Sequence, residues 1–292
     1  MYRAARSAAP FLAVLLLTPI LWAVVGLSAE VLGDHAAFFA VGIGGAVFAN
    51  ATGAGGGVVF IPLFSKLGFS DPQSVATSFG IQCFGMTTGA LAWSAYFLRN
   101  RAGARSYWPG FLPAIALSTP ASLLGLWAVQ YGSIAPPAGT VTVFAVFSLL
   151  LGFAILTLRG ERDGLEHRAL TRGDALALIP VAIAGGVVTA WLSVGVGEFV
   201  GFYLILRRYD VTQSIAIAVV LSALTVWGAA PQALQVGGDA VWPVVLVAGP
   251  GAVLGALLAR RLAVYLGGLR LKRFFGIWLL IIGLSEMATL AG

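Results

Sequence analysis

Apolar stretches of about twenty residues follow one another along nearly the whole chain, and that pattern leaves few folds open. The hydrocarbon core of a membrane offers no water to backbone groups, so a crossing segment must be a helix or part of a closed barrel. Stretches 9–29, 74–98, 109–130, 138–158, 212–234, 241–260 and 273–291 each have the length for a single helical crossing. Segments 37–68 and 175–206 are too long for one. Each is cut near its middle by glycines, GAGGG at Gly53 to Gly57 and GVG at Gly195 to Gly197.

Composition agrees. The 292 residues are 59% hydrophobic and only 10% charged, with a mean hydropathy of +0.95, against roughly 25% charged residues in an average soluble domain. A water-soluble enzyme, a nucleic-acid binder and a disordered chain are thereby excluded. The single cysteine, Cys83, rules out an internal disulfide and a Cys-rich metal site. The apolar run from Ala8 to Leu27 behind Arg3 and Arg6 exceeds a signal peptide's apolar region, so a retained first helix is expected.

Basic residues set the orientation, because Lys and Arg gather in cytoplasmic loops. With Arg3 and Arg6 inside, loop 30–36 lies outside and carries Glu30 and Asp34. Loop 99–108 (Arg99, Arg101, Arg105), loop 159–173 (Arg159, Arg162, Arg168, Arg172) and loop 261–272 (Arg261, Arg270, Lys272) then lie inside. Arg207 and Arg208 fall inside as well, leaving Lys66 as the one basic residue outside. This bias survives only if segment 37–68 begins and ends outside while 175–206 begins and ends inside. Each is therefore an even number of passes or a re-entrant hairpin.

The two segments also match each other. A shift of 140 residues lays Gly55-Gly56-Gly57 on Gly195-Val196-Gly197, Gly45 on Gly185, Phe69 on Tyr209, and Gln73-Ser74 on Gln213-Ser214. The expected fold is an all-α polytopic membrane protein of two inverted-topology repeats. Each repeat is a glycine-broken hairpin plus three transmembrane helices, and an extra N-terminal helix precedes them. The units are residues 1–36 (first helix and outer loop), 37–158 (repeat 1), 159–173 (cytoplasmic connector) and 174–292 (repeat 2). Paired broken segments in two such halves are the best sequence pointer to a transporter's midplane site. Gly42, Gly44, Gly45, Gly185 and Gly186 read more simply as close-packing positions between helices.

The stretch NATGAGGGVVFIPLFSKLGFSDPQSVATS, Asn50 to Ser78, resembles the first-repeat signature of the TauE/SafE sulfite exporter family. That signature has a glycine cluster, a proline-containing half-helix and an Ala-x-x-Ser-type segment after a short turn. The resemblance covers roughly residues 37 to 285 and implies a multi-pass permease of the cell inner membrane. Members of the family are implicated in moving sulfite, thiosulfate, organosulfonates and related small anions. The second repeat departs from the pattern. In SVGVGEFVGFYLILRRYDVTQS, Ser193 to Ser214, Glu198 stands where a small residue is expected.

A secondary permease for small anions follows, with the lipid bilayer and the anion as partners and no cofactor, metal or nucleic acid. The second arms of the hairpins, 57–67 and 198–206, should begin near mid-membrane. A helix N-terminus there offers unpaired N–H groups and about half a positive charge. The candidate binding residues are Asn50, Thr52, Gly55, Gly56 and Gly57 at the first break, and Thr77, Ser78 and Gln82 opposite it. Ser193, Gly195, Gly197, Gln213 and Ser214 are their counterparts in the second repeat. Glu198 is either a cap on its half-helix, a proton-coupling carboxylate, or the ligand of a cation in a cation-linked permease. A non-transporting assembly partner is the reading from another class. Trp191 and Trp227 are the tryptophans expected to lie deepest. His35 and His167 fall in opposite loops and no catalytic motif is present, so no enzyme is expected.

Overall fold

The computed structural model describes residues 2–99, 108–157 and 169–291, and the regular structure among them is entirely helical. The helices are α1 (Tyr2–Val24), α2 (Ala29–His35), α3 (Ala37–Thr52), α4 (Gly57–Lys66), α5 (Asp71–Arg99) and α6 (Trp108–Gly132). They continue with α7 (Thr140–Thr157), α8 (Arg172–Leu192), α9 (Val196–Leu206), α10 (Val211–Ala233) and α11 (Trp242–Ala291). Most of the arginine-rich connectors 99–108 and 159–173 lies outside the described residues.

The expected all-helical membrane class holds, with four or five candidate spans among the described residues. Gly110–Gly132, Arg172–Leu192, Val211–Ala233 and Trp242–Ala263 each have the length and apolarity to cross a bilayer. Helices α2 and α3, bent by 51° at their junction, qualify together as a fifth span. Helix α5 has 29 residues but not the apolarity, because it carries Gln73, Thr77, Ser78, Gln82, Thr87 and Thr88. Such a helix belongs inside the bundle, where neighbours satisfy its polar groups, and Thr77, Ser78 and Gln82 are all buried.

Both long segments fold as broken helices. Helix α3 ends on Gly53, which takes a left-handed conformation (φ 84°) while its N–H reaches back to Ala49 O. Helix α8 ends the same way on Ser193 (φ 55°), whose N–H donates to Thr189 O. The chain then re-enters helix at α4 and α9.

Two expected loops are helical instead. Segment 30–36 is mostly α2, started by Ser28, whose Oγ accepts from the Val31 N–H at 3.2 Å, with Glu30 in the first turn. Segment 261–272 is part of α11. Its charges permit helix, since Arg, Leu and Lys are good helix formers and no proline interrupts them. A straight α11 of 50 residues would measure about 75 Å. Yet Gly42 of α3 packs on Ala248, while Phe48, less than two turns along, stacks with Phe274 and Trp278. Helix α11 therefore doubles back between Arg260 and Phe274; its first arm holds the candidate span Trp242–Ala263, and its second holds only a shorter apolar stretch, Gly276–Ala288, where a span was expected at 273–291.

Close helix contacts rest on glycine. A methyl group on Gly42 would meet Ala248 O at 2.0 Å, and one on Gly251 would meet Phe39 O at 2.2 Å, so α3 and α11 touch backbone to backbone. Gly125 and Gly186 do the same for α6 and α8, against Ile183 O (2.1 Å) and Ser122 O (2.0 Å). Gly44 differs, with nothing within 4 Å. Among the described residues the most buried tryptophan is Trp93, fully enclosed with its Nε1 donating to Asn50 O at 3.0 Å. Trp227 is 55% exposed and bonds Thr87 Oγ1, and Trp191 bonds Ile134 O near the surface. Position along a span does not say which face a tryptophan occupies, and Trp191 and Trp227 lie on outer faces of the bundle.

The packing predicts a contrast. Gly186→Leu should lower the melting temperature of the solubilised protein by many degrees, whereas Gly44→Ala should leave it unchanged or raise it slightly. Equal melting of the two variants would contradict glycine-mediated α6–α8 packing.

Candidate functional site

The two breaks meet tip to tip. Gly57, the first residue of α4, lies so close to the end of α8 that an added methyl would stand 2.6 Å from Leu192 O and 2.8 Å from Ser193 O. Gly197, in the first turn of α9, is pressed against Gly53 O and Ser222 Oγ, each 2.4 Å from where its side chain would begin. Any larger residue at either position pushes the tips apart. The glycines thus serve approach of backbone to backbone as well as interruption of the helices.

Two side chains stitch the tips together. Glu198 is the third residue of α9 and 4% exposed. Its Oε1 accepts from the Gly55 N–H at 2.7 Å and its Oε2 from the Gly195 N–H at 2.9 Å, one donor from each break. Gln82 of α5 works in the same way. Its Oε1 accepts from the Gly56 N–H at 2.8 Å, while its Nε2 faces Ser193 O at 2.9 Å, Ser193 Oγ at 2.7 Å and Ser78 Oγ at 3.1 Å. Bonds of backbone N–H to a carboxylate contribute about 1.5–3 kcal/mol each. They offset part of the cost of holding a carboxylate away from water, several kcal/mol for an ion.

The remaining expected residues divide. Thr52 caps α3, donating to Phe48 O at 2.8 Å and accepting from the Ala54 N–H at 3.3 Å. Asn50 is fully buried. Its Nδ2 donates to Ala46 O, its Oδ1 has no partner, and a side chain on Gly89 would run into that oxygen. Asn50, Gly56 and Gln82 line a cavity of about 10 Å³, room for roughly one water. Thr77 is turned elsewhere and accepts from the Val241 N–H at 3.0 Å at the start of α11. Ser214 Oγ donates back to Asp210 O at 2.8 Å, and the Gln213 N–H is taken by Asp210 Oδ1 at the first turn of α10. The network at the tips therefore joins Gly55, Gly56, Gly57, Ser78, Gln82, Ser193, Gly195, Gly197 and Glu198. Thr77 and Ser214 direct their hydroxyls away from it.

A second cavity, of about 200 Å³, opens between α5, α6 and α10. Its rim carries Gln130, Gln232 and Asp239, and its lining includes Phe79 and Ala190. Phe79, 1% exposed, neighbours Ser78, and Ala190 lies one turn before Ser193. A buried aromatic ring thus forms part of the wall of this open vestibule.

The family model for the sulfite exporter TauE/SafE matches residues 38–285. The chain belongs to the TauE/SafE family. No curated protein matches it. Membership makes this a permease-type, multi-pass membrane protein of a transporter family.

Within this TauE/SafE chain the sequence reading passed over three residues near the hairpins. Ser222 Oγ is buried without a partner beside Gly197, and the 140-residue shift lays Ser222 on Gln82. Thr189 Oγ1 accepts from the Val196 N–H at 2.9 Å and so starts α9. Asp174, 1% exposed, is a further enclosed acid in addition to Glu198. It accepts from Thr171 Oγ1 (2.6 Å), Tyr203 OH (2.9 Å), Arg207 Nε (2.6 Å) and Tyr209 OH (2.7 Å), clamping the base of the second hairpin. The Thr171-x-x-Asp174 spacing is a capping-box signal that would have located it.

Gln82→Leu removes the acceptor of the Gly56 N–H and both bonds to Ser193. It should cost about 1–3 kcal/mol for that orphaned N–H alone, seen as a lower melting temperature. Ser78→Ala, which loses a single hydroxyl acceptor, should cost markedly less. Equal melting of Gln82→Leu and wild type would show that Gln82 does not hold the tips.

Proposed function

We propose that this protein is a secondary permease for small anions, of the sulfur-oxoanion or organosulfonate class, which bind where the two hairpin tips meet. The observation that carries this is the convergence of backbone N–H groups of Gly55, Gly56 and Gly195 in a buried place where, among the described residues, no cationic side chain acts on Glu198. Such donors recognise an anion by hydrogen bonds and helix-end dipoles while leaving it free to depart. A sulfonate or sulfite presents several acceptor oxygens to them. Gln82 Nε2 and the hydroxyls of Ser78 and Ser193 add neutral donors, and Asn50, Thr52 and Gly57 shape the first tip. On this reading Thr77, Gln213 and Ser214 support the helices around the site.

Tip-to-tip contact is what two hairpins entering from opposite faces would make. It supports 37–158 and 174–292 as inverted repeats that rock against each other, with 159–173 connecting them and 1–36 outside the repeated unit. The positive-inside pattern supports a cytoplasmic N-terminus. Glu198, the acid within the tips, is the coupling residue, a role that an N-cap carboxylate on a solvent-exposed helix would not have.

Transport by purified protein in vesicles tests the reading. Vesicles carrying the protein should take up sulfite, thiosulfate or methanesulfonate down a gradient, well above protein-free vesicles, and should not take up choline or divalent cations. Cation flux without flux of any of the anions would contradict it.

A further inference from the structure

The geometry of Glu198 points to a tethered competitor. We infer that its carboxylate occupies the very N–H donors a transported anion needs, so an anion binds only by displacing it. This rests on the reading of the hairpin tips as the anion site and adds how occupancy of that site is controlled.

Three observations carry the inference. The carboxylate does not merely cap its own helix. One oxygen returns to Gly195 at the start of α9, and the other crosses to Gly55 in the other hairpin, which spans the junction as a bound oxyanion would. Hydrogen-bonding capacity around it is also incompletely used. Ser222 Oγ is buried and unpartnered beside Gly197, and its hydroxyl can donate to an anion oxygen that the single carboxylate does not supply. Finally, the charge of Glu198 is balanced only by backbone donors. The surrounding elements offer it Gly55 from the first break, Gly195 from the second and neutral groups of α5 and α10 (Gln82, Ser222). Among the described residues no charged side chain interacts with it. Asp174, the acid on the same hairpin, lies nineteen residues before the break, about 28 Å along α8, and is engaged with Tyr203, Arg207 and Tyr209.

Charge bookkeeping follows from the exchange. When an anion takes the Gly55 and Gly195 donors, the displaced carboxylate would be left without them in a low-dielectric place, where an unpaired charge is costly. It takes a proton from bulk water, forming one O–H bond and becoming a neutral carboxyl. A monovalent anion and a proton therefore enter together, and the buried charge is the same before and after.

Binding measured on the full-length protein in lipid nanodiscs tests this, with methanesulfonate as the probe because its own charge does not change near neutral pH. In wild type, affinity should fall about tenfold per pH unit while Glu198 is ionised, and a pH-indicator dye should register one proton taken up per anion bound. Glu198→Ala leaves the donors vacant. It should bind methanesulfonate at least as tightly as wild type does at its most favourable pH, with affinity independent of pH and no proton uptake. Glu198→Gln, close in shape to the native side chain, should likewise lose proton uptake, and its melting temperature reports whether the fold is intact. Wild-type binding with no proton uptake, or a pH slope that survives in Glu198→Ala, would overturn the competitor role and leave the anion site standing. Absence of binding in wild type and both variants at every pH would overturn the anion site itself, and the competitor with it. Binding by Glu198→Ala alone would support both.

Discussion

A helix broken inside a bilayer frees backbone N–H groups that lipid cannot satisfy, and the arrangement of this protein turns on where those groups find acceptors. Each hairpin supplies part of the answer for the other. Gly55 and Gly195 share the carboxylate of Glu198, and Gln82 joins Gly56 to Ser193. Neither break is satisfied without the other, so the tips must meet. That requirement explains why Gly57 and Gly197 have no room for a side chain and why α5, which brings Gln82, is the long helix too polar to pass for a span.

The hairpins are closed differently at their bases. The second is held by Asp174, with hydroxyl and guanidinium donors from Thr171, Tyr203, Tyr209 and Arg207. The first is closed by stacked aromatic rings, Phe64 lying between Phe60 (6.0 Å between centroids) and Phe69 (5.0 Å), with Phe38 at 6.1 Å. The 140-residue correspondence places Leu63 and Leu67 where Tyr203 and Arg207 stand. A directional, charged clamp therefore holds one hairpin and a non-directional apolar stack the other. The polar residue facing each tip differs as well, Gln82 on one side and Ser222 on the other. On the reading of the two halves as repeats, they differ at the residues facing the tips and at the hairpin bases.

Much of this was legible in the sequence because membranes impose coarse rules. Apolar length located most of the helices, glycine clusters located both breaks, and a lone acid in an apolar run singled out Glu198. Partnerships were not legible. Nothing in the spacing of Gln82 and Ser193 says that they meet, since 111 residues separate them and only tertiary packing joins them. Ser222 and Thr189 escaped notice because a lone hydroxyl in a span usually bonds within its own helix, as Thr88 does to Phe84 O. Thr77 looked equivalent to Ser78, yet adjacent helix positions point about 100° apart, and that turn sends its hydroxyl to α11. The arginine-rich segment at 261–272 read as a loop on charge alone, whereas charge sets the side of the membrane and not the backbone conformation.

Central to the account is that the junction of the two hairpin tips is where the anion sits. Crystals of the protein grown with selenate, a heavier relative of the sulfur oxoanions, would locate the ion directly by anomalous scattering at the selenium edge. The account predicts a selenium peak within hydrogen-bonding reach of the Gly55 and Gly195 N–H groups, with the Glu198 side chain moved off both. An ion at the tips with Glu198 still bonded to both glycines would contradict the competitor role alone, whereas a peak confined to the vestibule beside Gln130 and Gln232 would contradict the central claim.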